Sequence, residues 1–393
     1  MRLAERIGDL GTETAFEAAA RARALEAEGR DIIHLHLGEP DFDTPAHISA
    51  AAKAALDAGL THYGPPLGVG ELREAIAADT GARRGVRIEP GSVVVTPGAK
   101  PVMAFAMMAL VQAGDEVIVP DPGFPIYDSM ARFMGAKTVG LPLRQAFDFR
   151  PDLDELRSLI TPRTRLLVVN SPNNPNGGVL TSADVAAIAE IAIKHDLVVL
   201  ADEIYDRLVH DGQHHSLLSH AGMAERTILL NGFSKTYAMT GWRLGYGILP
   251  PALVPVYERL MINTVSATAT YPQLGAVEAL TGPQDSVDEM AAEFRARRSL
   301  IVDGLNALPG VTAAMPHGAF YAFPDIAATG FDGAGLAERL LGEAGVSVIA
   351  GTAFGREATH SIRVSYANSQ ANLTRALERM GDFLRQHGRD ADT

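Results

Sequence analysis

The chain of 393 residues contains no cysteine. Disulfides, thiolate metal sites and a cysteine nucleophile are thereby excluded, and the composition suits a reducing compartment. Positive charge is in short supply as well: 34 Lys and Arg stand against 47 Asp and Glu, a formal charge of -13. That balance speaks against nucleic acid or an anionic membrane as a partner, because either calls for a clustered basic face. Long apolar runs are missing. The most apolar stretch, Pro101 to Val111, has about half the length that a membrane span needs. The N-terminal MRLAERIGDL has neither an apolar core segment nor a small-residue cleavage site, so no signal peptide is expected and the chain reads as soluble and cytoplasmic. No GxxxxGK[ST] loop is present and no GxGxxG follows a strand, which leaves nucleotide and dinucleotide binding without support. The GxSxG and SxxK spacings of serine hydrolases are absent too.

What is present is the material of a large folded core: 47% of residues are hydrophobic and 21% charged. The length suggests about two domains. Helical periodicity from Thr14 to Glu28 ends at Gly29, and an apolar run from Ile32 to Leu37 stops at the Gly38-Glu39-Pro40-Asp41 turn. Thr44 is expected to cap a helix over 45–60, and Tyr63 lies in a Gly/Pro-rich loop, YGPPLGVG, ahead of a helix from Glu71 to Arg83. From Ser92 the pattern changes. Short β-branched runs at 93–96, 116–120, 165–170, 197–202 and 227–231 alternate with helical stretches, which predicts a mostly parallel sheet covered by helices. A long amphipathic segment, Val287 to Ala307, leads to a smaller α+β unit with strand-like runs at 318–323, 346–349 and 361–365. We therefore expect an N-terminal arm and part of a small domain at 1–44, a large domain at 45–286, and the rest of the small domain at 287–393.

One stretch organises the others: Asn231 to Gly247, NGFSKTYAMTGWRLGYG. Lys235 follows the strand-like run Thr227 to Leu230, and Arg243 lies within a second strand-like run, Trp242 to Leu249. Two cations beside one core are tolerated only if each finds an anion or gives up its charge. A lysine that loses its proton is a nucleophilic amine able to form a Schiff base with an aldehyde, whereas arginine stays charged and suits a phosphate. An aldehyde that carries a phosphate is pyridoxal phosphate.

SKTYAMTGWRLGY resembles the cofactor-lysine signature of the class I and II aminotransferases, which are fold type I pyridoxal-phosphate enzymes, and the chain is similar to their bacterial aspartate aminotransferase subgroup. The resemblance runs from Leu37 to Asn368, with the motifs in family order. It implies an α/β fold: a large domain with a mostly parallel seven-stranded sheet covered by helices, plus a smaller α+β domain. It also implies a role for each candidate residue. Lys235 is the Schiff-base lysine. The Ala99 and Lys100 amides, Ser234 and Arg243 bind the cofactor phosphate, and Phe124 in Asp121-Pro122-Gly123-Phe124-Pro125 stacks on the ring. Asn174, in the Pro-rich turn after Asn170, and Tyr205 bind the phenolic oxygen. Asp202 keeps the ring nitrogen protonated, and Arg363 in IRVSYA, with Asn174 and the Gly38 backbone, holds the substrate α-carboxylate. Tyr63 reaches the phosphate of a neighbouring subunit, which implies a homodimer with shared sites. Catalysis would rest on Lys235, Asp202 and Tyr205.

Read alone, several of these residues have plainer explanations: Gly98-Ala99-Lys100-Pro101 as a strand-to-helix turn, Asp202 as a helix cap, Phe124 as core. His210, His214 and His215 read as a polar surface loop, and no metal site is expected. The chain also departs from the family pattern. Gly232 stands where many relatives carry a phosphate-binding serine. The arm reads Glu13-Thr14-Ala15-Phe16-Glu17, where related aspartate enzymes carry small hydroxyl residues. Two carboxylates there would repel a dicarboxylic substrate, whereas Lys100 matches a lysine with which those enzymes reach a distal carboxylate. The implied activity is ping-pong transfer of an amino group from an L-amino acid to a 2-oxo acid. A β-eliminating C-S lyase of the same fold and a non-catalytic binding protein stay open at this point.

Overall fold

The computed structural model describes residues 1–388. The first strand, β1 (Ile33–His34), pairs with a strand near the C-terminus and belongs to the smaller unit. Seven strands then build the main sheet: β2 (Val93–Thr96), β3 (Glu116–Asp121), β4 (Lys137–Pro142), β5 (Thr164–Asn170), β6 (Val198–Asp202), β7 (Thr227–Gly232) and β8 (Gly245–Ile248), in the order β2-β8-β7-β6-β5-β3-β4. Only β8 runs against its neighbours. The expected mostly parallel, seven-stranded α/β sheet is present.

Alternation along the strands explains how the sheet buries both faces. Val94, Val117, Leu166, Leu200 and Ile228 join one apolar cluster, with Met103 and Phe105 of the helix Lys100–Leu110. The other face carries two clusters. Val93, Val95 and Leu229 pack with Ile76 and Phe233, and Ile118, Leu167 and Val199 pack with Ile188. Each fully buried Leu or Ile contributes about 1.5–3 kcal/mol, so helices on both faces are required.

Beyond the 22-residue helix Asp285–Asn306 lie β9 (Tyr321–Ala322), β10 (Val346–Ser347), β11 (Ile349–Ala350) and β12 (Ile362–Ser365), closed by the helix Gln370–His387. β1 pairs parallel with β10, and β11-β12-β9 form an antiparallel sheet. Their core combines Ile33 and Leu35 with Phe294, Phe320, Val364 and Leu384.

Three local expectations need correction. Thr44 does not cap the helix Ala46–Asp57; its hydroxyl donates to the Ala238 carbonyl at 2.7 Å and accepts from the Trp242 indole at 3.0 Å. Arg243 is not in a strand: it takes left-handed backbone (φ 55), and β8 begins two residues later. The run at 346–349 is two strands rather than one.

Candidate active site

Pairing registers bring the ends of the central strands together. Thr96 of β2 and Gly232 of β7 both face Gly245 at the start of β8, and Asn170 of β5 faces Asp202 of β6. Because β8 is antiparallel, its N-terminal end lies at the edge where the parallel strands finish. Arg243 thus reaches the carboxyl edge of the sheet, where open α/β sheets bind their ligands. A cavity of about 510 Å³ opens there. Gly38, Ala99, Lys100, Phe124, Asn174, Asp202, Tyr205, Ser234, Lys235, Arg243 and Arg363 all line it. Tyr63 does not; its side chain is 92% exposed on the outer surface.

At one end sits an anion cradle. The helix Lys100–Leu110 has no side chain capping its N-terminus, which leaves amides and the positive end of the helix dipole facing the cavity. Gly98 has φ 80, and a Cβ there would run into the Arg243 guanidinium. A Cβ at Gly245 would approach Ala99 Cα to 2.6 Å, so both glycines are needed for the loop and β8 to meet. Arg243 itself is exposed and gives one hydrogen bond, to the Thr240 carbonyl at 2.7 Å. At Gly232 a Cβ would lie 3.1 Å from both Gly245 Cα and the Leu244 carbonyl oxygen, so a serine there would require β8 to yield.

Lys235 is partly buried and donates to the Gly38 carbonyl oxygen. Burial is the main cause that brings its pKa down from 10.5 to about 8; Arg363 and Arg243 act the same way, against Glu39 and Glu13. Asp202, nearly buried at the end of β6, is pushed up to about 6 by desolvation, although the Tyr127 hydroxyl (2.6 Å) and the Ile204 amide (3.1 Å) donate to it and pull downward. A buried carboxylate held by a single hydroxyl and one amide is a receptive partner for a protonated ring nitrogen. No helix follows it directly, which disposes of the cap reading.

Arg363 on β12 is 4% exposed. It donates to Asn174 Oδ1 at 3.0 Å and to the His36 carbonyl at 2.6 Å, and its guanidinium lies 4.5 Å from the Tyr321 ring centroid and 4.7 Å from that of Phe354. Its Nε is buried without a partner. A charged, half-satisfied fork on a cavity wall suits a carboxylate. Since Asn174 Oδ1 is taken by Arg363, its amide NH₂ is the group left to donate to a ligand. Tyr205 pairs with Tyr321, hydroxyl to hydroxyl at 2.7 Å.

Tyr127 and Tyr321 were missing from the sequence reading, and both line the cavity. Tyr127 comes three residues after Phe124, one helical turn on, and that spacing is the only signal. Tyr321 sits in Gly318-Ala319-Phe320-Tyr321, and a Cβ at Gly38 would collide with its hydroxyl. His210 is not in a surface loop: it is buried, and its Nε2 lies 2.7 Å from the Ala319 carbonyl. Of the two arm carboxylates, only Glu13 lines the cavity; Glu17 is exposed and accepts from Thr12 at 3.4 Å.

A seven-stranded, mostly parallel sheet with a lysine, a carboxylate and two arginines around one cavity at its carboxyl edge defines a fold type I pyridoxal-phosphate enzyme. Residues 30–380 match the family model for aminotransferase class I and II. The chain is 40% identical to the aspartate aminotransferase of Pyrococcus abyssi, over 92% of this chain and 94% of the relative. It is 41% identical to aromatic-amino-acid aminotransferase 2 of Thermococcus litoralis, over 90% and 92%. The solved aspartate aminotransferase of Thermus thermophilus with maleate superposes with a TM-score of 0.93 at 39% identity, covering 97% of this chain and all of that one. The chain belongs to the class I and II aminotransferase family and is a pyridoxal-phosphate-dependent transaminase.

Proposed function

We propose that one cavity serves both halves of a ping-pong transamination, with an L-amino acid and then a 2-oxo acid entering the same place. The Ala99 and Lys100 amides with Ser234 and Arg243 hold the cofactor phosphate. Phe124 lies against the ring, Asp202 faces the ring nitrogen, and Asn174 and Tyr205 face the phenolic oxygen. When bound, the cofactor supplies an electron sink for the substrate Cα. The chain does the rest. Arg363 fixes the α-carboxylate in its fork while the Gly38 backbone covers it, which sets the direction of the Cα–H bond. Lys235 takes up and returns the proton, and an amine with a pKa of about 8 is suited to do both near neutrality. Tyr321 holds Tyr205 in place, and Tyr127 does the same for Asp202.

The observation that carries this reading is the convergence of Lys235, Asp202, Arg243 and Arg363 on one cavity from three segments far apart in the chain: the end of β6, the connection between β7 and β8, and β12. Tyr63 is 92% exposed and does not line this cavity, which supports a homodimer in which it serves the neighbouring site. We infer a cytoplasmic enzyme with a large domain at 45–286 and a small domain formed by 1–44 and 287–393. The two relatives are named for different donors, aspartate in one and aromatic amino acids in the other at nearly equal identity, so overall likeness does not select a substrate.

Lys235→Ala provides the test. Turnover should fall by at least about a thousandfold, while cofactor is still retained through its phosphate. Substantial transamination by this variant would overturn the assignment.

A further inference from the structure

Four cations line the cavity among the described residues: Lys100, Lys235, Arg243 and Arg363. On the transaminase reading, on which this inference rests, three have their tasks: the cofactor phosphate, the reacting amine and the α-carboxylate. Lys100 is the one left for a second carboxylate, and it is taken. Glu13 occupies the N-cap position of the helix Thr14–Ala27, yet its side chain makes no bond to that helix's free amides. The carboxylate turns into the cavity instead and pairs with Lys100. The Glu13 side chain is only 16% exposed there. Aromatic rings flank the pair: Lys100 Nζ lies 5.9 Å from the Phe16 centroid and 5.8 Å from that of Phe124.

We propose that Glu13 is a specificity-determining residue that holds Lys100 and closes this end of the site to a second carboxylate, fitting the enzyme to aromatic and large apolar amino donors. A dicarboxylic substrate would bring a second anion to one ammonium, with Glu39 also on the cavity wall. The Lys100 side chain is 49% exposed, so solvent and salt weaken that repulsion without removing it. A neutral side chain meets no such conflict. It lies against Phe16, Phe124 and the methylene stem of Lys100, and leaves the ion pair intact.

Binding without turnover tests this directly. Holoenzyme is titrated calorimetrically with two unreactive carboxylates, succinate and hydrocinnamate, and half-reaction rates are measured with L-aspartate and L-phenylalanine. The wild type should bind hydrocinnamate more tightly than succinate and react faster with phenylalanine. In Glu13→Gln the succinate-to-hydrocinnamate affinity ratio and the aspartate-to-phenylalanine ratio of kcat/KM should each rise by about tenfold or more. Adding Lys100→Met to Glu13→Gln should cancel that rise. A wild type that favours succinate and aspartate, or a Glu13→Gln variant whose ratios stay within about twofold, would overturn the proposal. An enzyme that shows the binding ratios but transfers no amino group would uphold the Glu13 assignment and contradict the transaminase reading instead.

Discussion

Arg363 Nη1 donates to Asn174 Oδ1 at 3.0 Å, so the residue assigned to the substrate carboxylate also orients the residue assigned to the cofactor oxygen. The two lie 189 positions apart and meet because Arg363 of β12 reaches the turn that follows β5. Arg363→Lys keeps a charge but loses the planar fork. It should lower kcat/KM for α-amino acids by about 100-fold. Amines without a carboxylate should be slowed far less, and equal losses for both would show that Arg363 acts on the cofactor or the fold.

The lysine makes a prediction about pH. Burial and the neighbouring arginines favour the neutral amine, so the amine form accumulates as pH rises through about 8 rather than through 10.5. Below that point nearly all of it is protonated. Capture of pyridoxal by the apoenzyme should therefore speed up about tenfold per pH unit on the acid side and level off above pH 8. A rate that keeps climbing through pH 10 would mean that Lys235 is solvated. The same shift bears on stability: the unfolded chain binds the extra proton between about 8 and 10.5, so this group favours folding more as pH rises across that window.

Behind Asp202 lies a buried ionic network. Arg84 Nε donates to Glu203 at 2.9 Å and Arg84 Nη2 to Asp206 at 2.9 Å, while Ser216 donates to Glu203 at 2.6 Å. The two arginines Arg83 and Arg84 hold the Asp206 carboxyl far below the usual range, against a large desolvation cost. Glu203→Ala leaves Arg84 short of a buried partner and should destabilise the protein by about 3–5 kcal/mol in urea melts. A loss under about 1 kcal/mol would mean that Asp206 alone satisfies Arg84.

Shared sites have a subunit-mixing signature. Neither Tyr63→Phe homodimers nor Lys235→Ala homodimers should match the wild type, yet a hybrid of the two contains one site with an intact Lys235 and an intact Tyr63 from the other chain. Mixed samples should therefore exceed the average of their parents in kcat/KM. Activity that follows the average would place Tyr63 outside the neighbouring site.

Much of this was legible in the sequence, for physical reasons. Strands that end in Thr96, Asn170, Asp202 and Gly232 announce themselves as apolar β-branched runs, and the site residues follow them directly. Edges were harder. β4 (Lys137–Pro142) escaped because an edge strand is only half-buried and this one contains Gly140 and Pro142. Arg243 was misread as part of a strand because nothing local announces left-handed backbone at a bulky residue. Tyr127, Tyr321 and the Arg84–Glu203 pair depend on which helix or strand lies opposite, and no spacing rule carries that. The conflict between Glu13 and Lys100 was visible as opposite charges far apart in the chain; its resolution needed their contact.

The most direct measurement is the near-visible absorption of the purified holoenzyme before and after an amino donor, followed by a 2-oxo acid. The holoenzyme should be yellow, with a band that donors bleach and the oxo acid restores, and Lys235→Ala should show no such bleaching. A protein that binds no cofactor, or one that releases ammonia and an oxo acid without bleaching, would contradict the transaminase reading.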